Sequence, residues 1–555
     1  MFKKQFPAYA VILIVIILSF SLLSCQKASG DGTETSADTS AQDVVTPPLT
    51  LIKDGAANYA VILPESSNGP IRTAANTLCN DLDKLFGVKF ALKSNSASLD
   101  ASQRKIFIGV SKYNEQTLPY HEYNVTLSPE GDILISAWTS EAISTACSKL
   151  MMKIKDVVKD GDIQCTVTQN LCFSGVDTSI LQTDLPILFD SRMPLIYHVQ
   201  GARGAFELYF TGCSNDDRTT YSQKLTSQGY SLLQKREMTD ACFSVYQKDG
   251  IQVTISFWPN TGELIILADK PGYITPLSKT EVSSITKPKL ISVGQEYENA
   301  LKGMCYILQA SDGSFVIIDS GEGEDALLDR IYDIMTSNLP EGDRPHIRAW
   351  FITHQHADHT GGVVSFATSK YASRVDCDAV YSNMPYAKYQ SAYDNYENRY
   401  GKISTAAKQM GADFVIARTG QTYYFGDLEI LITGSVDDMV LTDYNDLDET
   451  SLWINVNTSG KKLIFCGDSG ALYVSKYLLK RYTAATLKCD ICQAASHGTN
   501  NTAYKDYYKL ADADIYLWPA NLEFYNKHTP NAYIQSITSA KILYAFNGTE
   551  TVELN

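Results

Sequence analysis

The run Phe351-Ile352-Thr353-His354-Gln355-His356-Ala357-Asp358-His359-Thr360-Gly361-Gly362 holds three of the 8 histidines in a chain of 555 residues. Imidazole nitrogens and carboxylates are ligands that Zn²⁺ prefers, and an open coordination position would hold a water. Ile347 to Thr353 reads as an apolar strand, so His354 and His356 leave extended backbone on the same side and can share one metal. Asp358 and His359 fall in the turn that opens the next helix, which aims them at a second metal beside the first. Two divalent ions placed together lower the pKa of such a water and stabilise both the attacking and the leaving oxygen of a displacement.

This run resembles the metal-binding signature of the metallo-β-lactamase fold, and three further motifs agree with that family in order. Phe315-Val316-Ile317-Ile318-Asp319-Ser320-Gly321 is similar to its strand ending in Asp. Leu463-Ile464-Phe465-Cys466-Gly467-Asp468 is similar to its Gly-Asp after a strand, and Ala494-Ala495-Ser496-His497-Gly498-Thr499 to its later His. The resemblance implies an αββα sandwich over residues 290–555 with two divalent ions, zinc first and manganese second, at one sheet edge. It further implies that Asp319 supports the motif loop through hydrogen bonds, that Asp468 bridges the metals and that His497 completes the second site. Asp358 would also orient the attacking hydroxide and accept its proton.

A narrower resemblance is to the hydrolase domain of bacterial competence DNA-internalisation proteins and their secreted relatives. It rests on Asn445 to Ser451 ahead of the strand Leu452-Trp453-Ile454-Asn455-Val456, on Cys466-Gly467-Asp468 and on Ser496-His497-Gly498. Those proteins end with a strand, an Asn/Tyr/His-Pro turn and a last strand, which here correspond to Ile515 to Pro519 and then Tyr525 to Pro530. His528 is therefore a candidate to stabilise an oxyanion or to protonate a leaving group; a surface His in a loop is the equal alternative. One departure stands out. Most family members supply another His between the first run and the bridging Asp, and none occurs between His359 and Asp468. Asn383, after the strand Ala379 to Tyr381, could offer an oxygen instead. The absence also argues against a true β-lactam hydrolase.

Two other motifs lead elsewhere and are set aside. Gly467-Asp468-Ser469-Gly470 looks like the nucleophile loop of trypsin-like proteases, but no Ala-Ala-His-Cys neighbourhood accompanies it. Cys489-Asp490-Ile491-Cys492 lies in a run, Thr486 to Ala494, that reads as a strand, where residues three apart point to opposite faces. His121 and His198 stand alone and read as structural.

The elements that must carry this chemistry make an α/β protein of several domains, since 555 residues exceed one hydrophobic core. Hydrophobic residues at 44% and charged residues at 20% are the balance of a folded chain. A net charge of −15 with no basic run disfavours stable nucleic-acid binding. Lys3 and Lys4, the apolar stretch Ala8 to Leu23 and Leu22-Leu23-Ser24-Cys25 resemble a bacterial lipoprotein signal over residues 1–25. Cys25 would carry the lipid, and the Ser/Thr/Gly-rich residues 26–49 would form a flexible tether. The other 11 Cys read mostly as small buried apolar residues. Residues 50–175 alternate strand and helix as β-α-β-β-β-α. Through Ala74-Ala75, Gly87 and Ile106-x-Ile108-Gly109 they are similar to the non-catalytic domain preceding many glycoside hydrolase barrels. Residues 176–289 form a second small α+β domain, scaffold or lid.

The expected protein is an extracytoplasmic, lipid-anchored metal-dependent hydrolase. It would use a metal-bound hydroxide on a phosphodiester or related ester, in a small molecule or an envelope polymer. The competing expectation is a polysaccharide-binding lipoprotein with an incomplete metal site; thioester or lactone hydrolysis by the same metals is a third.

Overall fold

The computed structural model describes residues 48–555, except 66, 68, 96–98, 101, 110–113, 115–117, 119–121, 138, 159–164, 168–170, 178–194, 201–204, 271–283, 296–302, 385–395 and 440–446. The signal segment, Cys25, most of the tether, His121 and Asn445 lie outside the described residues. Among the described residues no helix is long and apolar enough to cross a membrane.

The first sheet has six strands, in the order Phe173–Val176, Glu122–Leu127, Ile133–Ala137, Arg104–Ile108, Tyr59–Leu63, Ala91–Ser94. Helices Gly69–Phe86 and Ser140–Val157 bury Leu78, Leu82, Ile143 and Leu150 against Val61, Ile106 and Ile135 on one face. Both helices bury residues at 3- and 4-residue spacing, the stripe an amphipathic helix presents to a sheet. The strand-helix pattern read from the sequence holds, with two more strands in the sheet than expected, one before and one after the second helix.

The second sheet is antiparallel throughout and also has six strands, from Leu195–Gln200 at one edge to Ser231–Glu237 at the other. His198 lies on its first strand, opposite Leu208. Its helix runs from Asn215 to Ser227 and is started by a capping box of Ser214 and Asp217. Strand alternation sends Phe206, Leu208 and Phe210 towards this helix. Tyr209, Phe243 and Trp258 face the other way, into a core shared with Trp453, Tyr473 and Tyr482 of the C-terminal region. Buried ion pairs fix this joint: Arg418 donates to Asp269 at 3.1 Å and to Asp437 at 2.9 Å, and Arg481 donates to Glu263 at 2.7 Å. The middle domain is thus docked firmly on the C-terminal region.

The C-terminal region is an αββα sandwich. One sheet has eight strands and runs from Asp413–Ile416 through Ala379–Ser382, His346–Ile352 and Phe315–Ile318 to Glu550–Glu553, with a short strand beside His346–Ile352. The other has seven, from Thr422–Phe425 through Trp453–Thr458, Lys461–Phe465 and Ile491–Gln493 to Lys541–Tyr544. Phe351, Ile454, Phe465 and Leu517 meet between the sheets. Helices Asp325–Ser337 and Ala357–Phe366 cover the outer face of the first sheet through Leu328, Ile331, Val363 and Phe366. Two sequence readings need correction. Thr486 to Ala494 is a helix Ala484–Leu487 followed by a strand Ile491–Gln493, because Thr483 caps the helix at its start. Tyr525 to Lys527 belong to a helix, Leu522–Lys527, capped by Asn521, so the segment before His528 is not a simple turn.

Candidate metal centre

Three strand ends converge on one edge of the sandwich. The strand His346–Ile352 delivers His354 and His356; His356 then caps the helix Ala357–Phe366, whose first turn carries Asp358 and His359. The Gly361-Gly362 that follows is a packing requirement, since a Cβ on Gly362 would sit 1.8 Å from the Ser320 carbonyl oxygen. The strand Lys461–Phe465 delivers Asp468, and Ile491–Gln493 leads into His497. Gln493 clamps these two turns, accepting from Cys466 N and donating to Gly467 O, both at 2.8 Å.

The side chains fall into two groups, each with its possible ligand atoms within 4.8 Å of one another: His354, His356, Asp448 and Asp468; and Asp358, His359, Asp468 and His497. Asp468 belongs to both. In the first group His354 Nε2 lies 3.0 Å from His356 Nδ1, and Asp448 Oδ1 lies 2.9 Å from His356 Nδ1. In the second, His497 Nε2 is 3.1 Å from Asp358 Oδ2 and 3.1 Å from Asp468 Oδ2, and His359 Nε2 is 3.4 Å from Asp468 Oδ1.

The outer nitrogens are anchored. His359 Nδ1 donates to Asp319 Oδ2 at 2.8 Å, and His497 Nδ1 donates to the Pro519 carbonyl at 2.6 Å. Thr353 N and Oγ1 both donate to Asp319, and His354 Nδ1 lies 3.2 Å from Thr353 Oγ1. Such outer partners fix the tautomer and aim the inner nitrogen. Asp319, Ser496 and His497 adopt left-handed φ of 57°, 48° and 53°. Non-glycine residues there cost about 1 to 3 kcal/mol each and persist where the surroundings dictate them.

Burial raises the Asp468 carboxyl, but the His497 and His359 imidazoles hold it well below the usual range. Asp358 is low for the same reason, against burial and through His359 and His497. Asp448 falls to about 2, where contacts with His354 and His356 outweigh burial. Burial pulls His359 and His497 down, yet the Asp468 charge takes both up, His497 to about 9. His354 is lowered, first by burial and then by His359.

His359 Nε2, His497 Nε2 and Asp468 Oδ1 are buried close to one another without an aligned hydrogen bond. Buried polar atoms left so are costly. An N/O donor set of this kind, converging from anchored side chains, fits a pair of divalent cations.

Asp448 was missed in the sequence. It stands in the short 3-10 turn Asp448–Thr450 and takes the place of the absent His beside His354 and His356. Its only signal is an acid just ahead of the strand Trp453–Thr458. Asn383 is in neither group; its amide donates to Asp437. His528 is exposed and stacked on Phe524 at 4.1 Å, with the Phe524 ring 5.3 Å from His497. Ser469 is buried and its hydroxyl accepts from Trp453 Nε1 at 2.6 Å, a structural contact and not a protease nucleophile's.

Residues 299–444 match the sequence model of the metallo-beta-lactamase superfamily. No curated protein matches the chain. Among solved structures, the metallo-beta-lactamase fold protein YhfI from Bacillus subtilis is 11% identical with a TM-score of 0.31, over 48% of this chain and 100% of that one. Unliganded yeast PDE1 is 11% identical with a TM-score of 0.30, over 48% and 100%. A diphosphatase from the PhnP family is 13% identical with a TM-score of 0.29, over 48% and 98%. The matched segment contains Asp319 and the His354-to-His359 run, while Asp448, Asp468 and His497 lie beyond it in the same sandwich. Residues 299–444 of the chain thus belong to a metallo-beta-lactamase superfamily domain, within the sandwich that carries both side-chain groups.

Proposed function

We propose that the chain is a surface-tethered hydrolase that cleaves phosphodiesters or related esters with two divalent metal ions. His354, His356, Asp448 and Asp468 would hold one ion, and Asp358, His359, Asp468 and His497 the other. The observation that carries this is Asp468, among the described residues the one carboxylate that belongs to both groups. When bound, two such ions acidify a water and polarise the ester oxygens. The chain's own contribution is positional. Asp319, Pro519 O and Thr353 hold the imidazoles in place, and Asp358 takes the proton of the attacking water. The mixed imidazole and carboxylate donor set would suit ions that act on the oxygens of a phosphoester. Zinc is the expected metal, with manganese second.

The lipoprotein-like signal ending at Cys25 supports a location outside the cytoplasmic membrane, tethered by lipid. The competence-type likeness supports an ester of phosphate as the substrate class. The binding-protein alternative leaned on the absent His, and Asp448 removes that support.

Metal analysis of purified protein should give about two ions per chain, with turnover of bis-p-nitrophenyl phosphate that Asp358→Ala abolishes. A chain that binds no divalent ion, or an Asp358→Ala variant as fast as wild type, overturns the proposal.

A further inference from the structure

The first metal group depends on a short segment. Asp448 is held by a 3-10 turn of three residues, Asp448–Thr450, and residues 440–446 before it lie outside the described set. A turn that short has little internal stabilisation, so something else must hold Asp448 beside His354 and His356.

The next residue does this. Glu449 is buried, a rare state for a carboxylate unless it is partnered. Its Oε1 accepts from Leu472 N at 3.1 Å and its Oε2 from Tyr473 N at 2.6 Å. These amides lie in the first turn of the helix that follows Asp468-Ser469-Gly470, the turn that carries the shared carboxylate. Charge-assisted hydrogen bonds from backbone amides are the stronger kind, and two of them fix the orientation of the acid. Gly470 leaves room for the contact: a Cβ there would come within 2.1 Å of the Glu449 carboxyl. Leu452 N also donates to Thr353 O at 2.9 Å, so the far end of the segment is tied to the His354 loop.

We infer that Glu449 is a positioning residue for the first metal site. It latches the Asp448 turn to the Asp468 turn, so two ligands from distant parts of the sequence keep their spacing. The second site depends on it only through the shared Asp468, whose turn Gln493 also clamps, while Asp358, His359 and His497 are anchored through the helix Ala357–Phe366, Asp319 and Pro519. This inference rests on the two-metal reading given above.

Cobalt(II) titration of the metal-free full chain, followed by visible absorption and calorimetry, tests it. Wild type should bind two ions. Glu449→Ala should weaken one of them at least tenfold and leave the other within twofold, and Asp448→Asn should weaken the same one. Gly470→Ala keeps the carboxyl but displaces it, and should give the same selective loss. It also serves if Glu449→Ala fails to fold. Thermal melting with chelator present separates selective loss from general unfolding. Equal weakening of both ions, or none in either variant, overturns the inference while leaving the metal reading intact. Absence of any cobalt binding by wild type overturns the metal reading, and this inference with it.

Discussion

The two metal groups share Asp468 but are built differently. Asp358, His359, Asp468 and His497 are all buried, whereas the side chains of His356 and Asp448 remain 31% and 25% exposed. The buried group draws on a helix turn, two strand ends and a left-handed backbone at His497, and its two imidazoles each carry an outer hydrogen bond. The open group leans on two residues of an extended run and one short turn. One site is preorganised by the fold, while the other faces the direction from which solvent and substrate arrive. If both groups hold ions, the open group is the one whose residues, His356 and Asp448, would leave a bound ester room to approach.

Removing what the groups share gives the largest effect. Asp468→Ala should cost both ions and lower kcat/KM by about 10³-fold or more, since either ion alone stabilises only one oxygen of the displacement. Metal content and ester turnover measured on the same preparation check this. A variant that keeps two ions would break the idea of a bridge.

Next in size is the direct against the relayed anchor. Asp319 bonds His359 itself but reaches His354 only through Thr353 Oγ1. Asp319→Asn keeps the side-chain shape and tolerates the left-handed backbone. It should weaken the ion of the buried group by about 10- to 100-fold, the range for outer partners of ligating His, and the other ion less. Calorimetric titration with zinc distinguishes the two. Equal losses would make the relay as strong as the direct bond.

A smaller, pH-dependent difference follows from His497. Its pKa in the folded, metal-free chain is about 9, above the ordinary value of 6.5, because Asp468 and Asp358 outweigh burial. Its protonation therefore stabilises the fold fully below pH 6.5, and this contribution is lost as pH rises through 9. The metal-free protein should melt at a lower temperature at pH 9.5 than at pH 7. The zinc-loaded protein, whose imidazoles must be neutral, should lack that fall. Parallel melting curves in chelator and in zinc check it, and identical slopes would mean that no proton is held there.

How much of this was legible follows from locality. His354, His356, Asp358 and His359 sit within six positions on a strand-to-helix turn, so local geometry alone brings them together. Asp319, Asp468 and His497 each follow an apolar strand and were readable through family likeness. Asp448 was not, because a lone acid before a strand resembles many others, and only the packing of Glu449 against residues 472 and 473 turns it inward. The middle domain was opaque for a related reason. Its strand Phe206–Phe210 is buried on both faces, and nothing in that apolar run states that one face meets Trp453 and Tyr473 of a distant segment. Residues 486–487 read as part of the strand Thr486 to Ala494 because β-propensity in an apolar run hides the cap at Thr483.

The smallest effect concerns His528. It follows the helix Leu522–Lys527, donates its backbone N–H to Phe524 O at 3.0 Å and stacks its exposed ring on Phe524. The Phe524 ring lies between it and His497, so the imidazole meets the buried group only across an aromatic face. An acid that protonates a leaving group must come within hydrogen-bond reach of it, directly or through one water. His528→Ala should therefore change kcat/KM by less than about threefold and leave the pH profile unchanged, because it removes one face of a ring stack worth about 1 kcal/mol. A fall beyond tenfold with a shifted pH limb would show instead that this imidazole swings past Phe524 to the ester, and the open group would then extend to the helix Leu522–Lys527.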